Sequence, residues 1–231
     1  MSIVSTRHDV RARSAARSES ARTGAVHLLN ALLICGILSP AVYVGADVAA
    51  ARLYAGYSYA DQAVSELFAI GAPTSRLVVT LFSLSSVLGL AFAVGVWRSD
   101  HRGLSRRLLA ATLALSAINA LVLWNVFPMH MRGAVRTGTD TMHLVLAANP
   151  YWLLSLIFGS VAFRGKFRTY SIVTIVVLLA LAAYGFSYAP AVAANGATPW
   201  MGLSERAAQY AHGAWQASLA VALWRERIEA L

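Results

Sequence analysis

LVVTLFSLSSVLGLAFAVGVW, residues 77–97, runs without a charged residue and is closed by Arg76 at one end and Arg98 at the other. A hydrocarbon core of about 30 Å needs roughly 20 helical residues to cross it. The stretch has that length, lacks the alternation of a barrel strand, and satisfies its own backbone if helical. It therefore reads as a membrane-crossing helix, and it sets the pattern for the rest of the chain.

Five further segments share its character, giving six expected spans near 25–47, 77–97, 106–127, 141–162, 169–188 and 206–225. The composition agrees: 58% of the 231 residues are hydrophobic and only 13% are charged. A soluble domain carries about a quarter charged residues, so the outer surface is expected to face lipid rather than water. The connections are short and no Pro/Ser-rich linker interrupts them, so one membrane domain over 25–225 is expected. It follows a basic, disordered tail over 1–24 and precedes a short C-terminus over 226–231. The basic tail and Ala49-Ala50-Ala51 also fit a signal peptide, but the first apolar run is longer than a usual signal core, which favours a retained helix.

The net charge of +9 suggests nucleic acid only until its placement is considered. The basic residues gather at the ends of apolar runs, where lipid headgroups and topology explain them, so no nucleic-acid partner is expected. With a cytoplasmic N-terminus the inner side holds Arg7, Arg11, Arg13, Arg17, Arg22, Arg98, Arg102, Arg106, Arg107, Arg164, Lys166, Arg168, Arg225 and Arg227. The outer side holds Arg52, Arg76, Arg132, Arg136 and Arg206. That imbalance predicts both termini inside, in a multi-pass protein of the cell membrane. Nearly all the basic residues are Arg, which with abundant Ala suggests a GC-rich bacterial genome. Cys35 is the one cysteine, so no intrachain disulfide and no thiolate cluster can form.

In this orientation the polar residues concentrate on the outer half. On the sixth span Glu205, Gln209, His212 and Gln216 recur at i, i+4, i+7 and i+11, one helical stripe. Polar groups are costly in lipid, so the stripe is expected to face the interior or a watery cavity. On the fourth span Asp140 and His143 share a face, and Asn149-Pro150 comes further in. Pro150 removes a backbone donor and frees the Leu146 carbonyl, which predicts a kink. Asn119, Asn125, Trp152 and Trp215 are expected to extend the same interior. The first outer loop, YSYADQAVSELFAIGAP, reads as a short interfacial helix over 59–70, with Ser58 as N-cap, Gly71 and Pro73 as terminators, and Val64, Leu67 and Phe68 pointing into the bundle.

Ser65-Glu66-Leu67 with Gly71 and Pro73 before the second span, Phe127-Pro128 after the third, His143 at the fourth, and Gly202 with Glu205-Arg206 at the sixth form a set. That set resembles the bacterial six-helix membrane family named domain of unknown function 998, over roughly 25 to 225. The resemblance implies the six-helix fold and brings no reaction with it. Members often carry an acid near the place of His130, where this chain has histidine.

The residues support three classes of function. The first is a polar pocket facing outward that binds a lipid, an amphiphile or an ion, walled by Arg132, Arg136, Asp140, His143, Glu205, Gln209 and His212. The second is a metal-dependent membrane hydrolase or lipid-modifying enzyme. Zinc takes about four ligands, typically His and carboxylate, with one position left for water. Asp140, His143 and His212 offer three, Glu66 or Glu205 a general base, and Arg132 with Arg136 a hold on a phosphate headgroup. No H-E-x-x-H signature accompanies them. The third is a scaffold or homo-oligomer, for which the small-residue spacings Ser85/Gly89 and Ala91/Gly95 allow close helix contact. Membrane lipids are the expected partners in each.

Overall fold

A computed structural model describes residues 3–99 and 103–229, with side chains described from Thr23 onward. It is helical throughout: α1 Ile3–Leu53, α2 Ser75–Ser99, α3 Leu104–Val126, α4 Gly138–Ala147, α5 Pro150–Ala162, α6 Gly165–Ser187, α7 Ala189–Ala193 and α8 Met201–Glu229. The start of α1 falls within the expected 1–24 tail, most of whose side chains lie outside the described residues, as do Asp100, His101 and Arg102. Five segments are long and apolar enough to cross a membrane: Thr23–Leu53, Ser75–Ser99, Leu104–Val126, Gly138–Ala162 and Gly165–Val192. The chain is a multi-pass membrane protein by that measure.

The sixth expected span lies in α8 and is not among the five. Its 29 residues are enough for the core at 1.5 Å rise each. The reason it falls short on composition is the polar series Glu205, Arg206, Gln209, His212 and Gln216, whose partners lie within the bundle: Asp47, Tyr43 and Gly36 of α1 for Arg206, Gln209 and Gln216, Val64 of the first loop for Glu205, and Trp152 of α5 for His212. The helices join in a closed ring: α1 on α2, α2 on α3, α3 on α5, α5 on α6, α6 on α8, and α8 back on α1. One end of the ring is rich in loops (54–74, 127–137 and 188–200); the other has only short connections.

Two apolar cores stabilise the ring. One lies toward the short-loop end and draws on Leu33, Phe92, Leu109, Leu156, Trp215 and Leu219. The other lies under the loop-rich end and draws on Ala46, Ala50, Leu67, Phe68, Phe82 and Trp124. The second takes its buried residues from α1, the first loop, α2 and α3, and none from α4, α6 or α8. That half of the ring is therefore packed on one side only.

The Ser85/Gly89 and Ala91/Gly95 positions close the α1–α2 seam. The Ser85 hydroxyl donates to the Ser39 carbonyl at 2.8 Å, and a Cβ on Gly95 would sit 3.0 Å from Leu32 Cβ. Most of this small-residue face is thus occupied within the chain.

The first loop forms a 3₁₀ turn over Val64–Phe68 in place of the helix expected over 59–70. Val64, Leu67 and Phe68 are buried as their spacing predicts. Upstream of the turn the chain spends its donors on local turns: Ser58 Oγ donates to Asp61 Oδ2 at 2.8 Å, and Ser58 N–H to Gln62 Oε1 at 2.8 Å. Such side-chain bonds offer the backbone an alternative to helix.

The kink is present. Asn149 adopts a left-handed conformation (φ 30°) and the fourth span divides there into α4 and α5. The Leu146 carbonyl accepts from Asn119 Nδ2 at 2.8 Å, so a side chain of α3 offsets part of what Pro150 removes. Beyond the break the two halves part company. α5 packs on α3 and α6, whereas α4 packs along α3 and makes no comparable contact with α6 or α8.

Candidate functional site: a cavity inside the ring

The ring encloses a cavity of about 1310 Å³, lined by every helix and by both the first and second loops. Asp140, His143, Glu205, Gln209, His212, Arg132 and Arg136 all lie on its wall. Glu66 does not. The sequence stripe of α8 is therefore a cavity wall, and the fourth span supplies the facing one.

Each wall residue is held by its own set of partners. Glu205 Oε2 accepts the Val64 N–H at 3.0 Å and its Oε1 accepts Gln209 Nε2 at 3.1 Å. Gln209 Oε1 in turn accepts the Tyr43 hydroxyl, and Gln216 Nε2 donates to the Gly36 carbonyl at 3.3 Å. His212 stacks on Trp152 with centroids 4.8 Å apart, and its Nε2 lies 3.4 Å from Ser155 Oγ. Asp140 accepts the Thr137 N–H at 2.8 Å, closing a capping box at the start of α4. It also accepts the His130 N–H at 2.8 Å and faces His130 Nδ1 at 2.9 Å. Asp140 thereby fastens the second loop to α4.

Glu66 and Arg132 form a two-pronged pair, Nε to Oε2 and Nη2 to Oε1, both 2.8 Å. Arg132 continues to the Gly196 carbonyl at 3.0 Å and to Thr198 Oγ1 at 2.8 Å. One guanidinium thus ties the three loops of this end together and roofs the cavity. Asp61 adds to the roof by accepting the Trp200 N–H at 2.9 Å; that bond and the Ser58 hydroxyl hold its carboxyl below the usual carboxylate range. Arg136 differs from Arg132. It is exposed, and among the described residues it has neither a hydrogen-bond nor an ion-pair partner.

A second ion pair, which sequence spacing did not single out, lies at the α1–α8 seam. Arg206 and Asp47 are 2% and 0% exposed and meet twice at 2.9 Å. Arg206 also donates to the Tyr59, Gln62 and Gly202 carbonyls and to the Tyr57 hydroxyl at 2.6 Å, and it lies 3.8 Å over the Tyr59 ring. Burial pushes the Tyr57 hydroxyl up from its ordinary value, with Arg206 opposing. Asp47 further accepts the Tyr210 hydroxyl and that of Tyr59. The two partners are 159 residues apart in sequence, so the pair forms only when α8 closes on α1.

Gly202 makes that approach feasible. A Cβ there would lie 2.2 Å from the Gln62 carbonyl oxygen and 2.8 Å from that of Tyr59, the two carbonyls that hold Arg206 Nη1. Gly202→Ala is expected to cost about 1–3 kcal/mol, as overpacking does. Thermal unfolding in detergent should show the melting point fall; an unchanged value would mean that the first loop yields freely.

The proposed metal set does not assemble. Among the described residues no three His, Cys, Asp or Glu side chains gather as a cation site. Asp140 is spent on a cap, His143 Nδ1 is 2.8 Å from the Phe127 carbonyl, and His212 is stacked deeper on α8. Glu66 is engaged by Arg132 on both oxygens, which leaves it poorly placed as a general base.

The lateral wall is incomplete on one side. Leu144, Ala147 and Ala148 of the α4 half and Leu179, Ala182 and Phe186 of α6 all line the cavity, yet Leu144, Leu179 and Phe186 are each 46–53% exposed. The α4–α6 seam is thus an apolar gap beneath the roof. Asn149 at its base is buried, with Nδ2 donating to Ser116 Oγ at 3.2 Å and Oδ1 unpartnered.

The family model described as Protein of unknown function (DUF998) matches residues 37–222. No curated protein and no solved structure matches the chain.

Proposed function

The chain belongs to the DUF998 family, and from that premise we propose that it is a six-span protein of the cell membrane that binds an amphiphile in its cavity. α8 serves as the sixth span, its polar stripe turned inward on α1, α5 and the first loop. Both termini lie in the cytoplasm and the loop-rich end faces outward, as the distribution of Arg favours.

The observation that carries the reading is the apolar seam between α4 and α6, opening on a large cavity whose roof is tied shut. A ligand that reaches the cavity through hydrocarbon has an apolar tail. Binding sites of this kind are mostly apolar with a few placed polar groups, and Glu205, Gln209 and the two histidines provide those. An ion alone would gain little from such walls. The zinc hydrolase reading lacks the gathered donors it needs, and the scaffold reading loses most of its helix face to the α1–α2 seam.

A monoacylglycerol with a diazirine on its acyl chain, photolysed in vesicles holding the protein, tests the proposal. Adducts are expected on cavity residues such as Leu123, Leu181 and Ala208, and excess unmodified lipid should suppress them. Adducts confined to outward faces such as Val87 and Val176 would refute it. Orientation is checked with Ala134→Cys in a Cys35→Ala background: an impermeant maleimide is expected to label it from outside intact cells.

A further inference from the structure

His143 is 2% exposed and lines the cavity. Its Nδ1 lies 2.8 Å from the Phe127 carbonyl, which can only accept, so Nδ1 carries the proton. Nε2 is then a bare acceptor. Among the described residues it has no hydrogen-bond partner, and it is not among the buried side-chain atoms sealed off without one, Trp124 Nε1 and Asn149 Oδ1. The residue that carries it lines the cavity. Phe68 flanks the ring at 5.7 Å and limits how far it can turn.

His212 repeats the arrangement further down. The Ser155 hydroxyl donates to the Trp152 carbonyl at 2.8 Å, so Ser155 Oγ faces His212 Nε2 as an acceptor. Nε2 therefore carries the proton and Nδ1 is the acceptor left over, on a residue 6% exposed that also lines the cavity. His143 lies about 8 Å along α4 from its start, and His212 about 16 Å along α8 from Met201, at 1.5 Å per residue. The cavity wall thus carries two histidines at two depths, each with one ring nitrogen that has no hydrogen-bond partner among the described residues.

We infer, resting on the amphiphile reading above, that the ligand carries a hydroxylated polar head that donates hydrogen bonds to His143 Nε2 and His212 Nδ1. Its apolar tail leaves through the α4–α6 seam. A bare acceptor facing an apolar cavity penalises any ligand lacking a donor, because a buried polar group left unpaired loses its hydration for nothing. The site therefore selects for O–H groups and against an esterified head.

Saturable binding of 1-monooleoylglycerol and of methyl oleate, measured on protein in phosphatidylcholine nanodiscs, tests this. The wild type is expected to prefer monooleoylglycerol by about tenfold. His143→Phe keeps an aromatic ring against Phe68 and removes the acceptor; it should cut the preference to about twofold or less by weakening monooleoylglycerol and relieving the penalty on methyl oleate, whose retained saturable binding also shows that the variant is folded. His212→Phe keeps the stack on Trp152 and should act likewise. Equal binding of the two probes by the wild type, or a preference that survives both substitutions, overturns the inference and leaves the amphiphile reading standing. If neither probe binds saturably, both fall.

Discussion

Asp47→Leu is expected to be the most damaging single substitution, destabilising the bundle by about 3–5 kcal/mol, the cost of stranding one member of a buried ion pair. The carboxylate holds the Arg206 guanidinium at two points and collects two tyrosine hydroxyls besides. Its loss leaves a cation that is 2% exposed and faces only carbonyls and a phenol. Arg206→Met should do comparable harm by the reverse route. Combining Asp47→Leu with Arg206→Met should cost less than the two losses added, since neither charge is then left alone. Unfolding by SDS titration reads all three variants; strictly additive losses would show that the two residues act separately.

Trp215→Ala is expected to cost about 3–5 kcal/mol, the usual range for an aromatic cut out of a core. The indole is fully buried between α5, α6 and α8, its Nε1 donating to Ser171 Oγ at 2.9 Å. Gly159 lies against it so closely that a Cβ would meet Trp215 Cζ2 at 2.6 Å. The pair should invert under substitution. Gly159→Ala should destabilise the wild type, where it collides with the indole, and stabilise the Trp215→Ala variant, where it fills space. Melting points of the four proteins measure this cycle; the same sign in both backgrounds would mean that the helices simply move apart.

Much of the fold was legible because span length and charge placement are local properties. LVVTLFSLSSVLGLAFAVGVW announces α2 by itself, and Pro150 announces the break in the fourth span through the one carbonyl it frees. The stripe on α8 was equally readable, since Glu205, Gln209, His212 and Gln216 repeat at helical spacing. What periodicity does not contain is the partner. Asp47 stands on α1 with no polar neighbour at i+3 or i+4 to mark it, and Arg206 sits one position off the stripe, so their meeting emerges only when the ring closes. Asp140 is a different case. Thr137-x-x-Asp140 is a capping box, visible in the sequence, and that signal explains the carboxylate as a helix start better than as a metal ligand. His143 and Asp140 share a face, as their spacing says, but α4 leans along α3 and keeps them from gathering with His212 into one coordination sphere.

The closure of the ring also has a bearing on biogenesis. α8 carries the polar series, and the group that neutralises its arginine stands on α1, which is synthesised well before it. Asp47 must therefore wait through four intervening spans for its counterion. A nascent chain stopped short of Arg206 holds a bare carboxylate within an otherwise apolar span, an adverse state that the arrival of α8 relieves. Closure of the ring is thereby coupled to synthesis of α8, with α1 acting as its receptor.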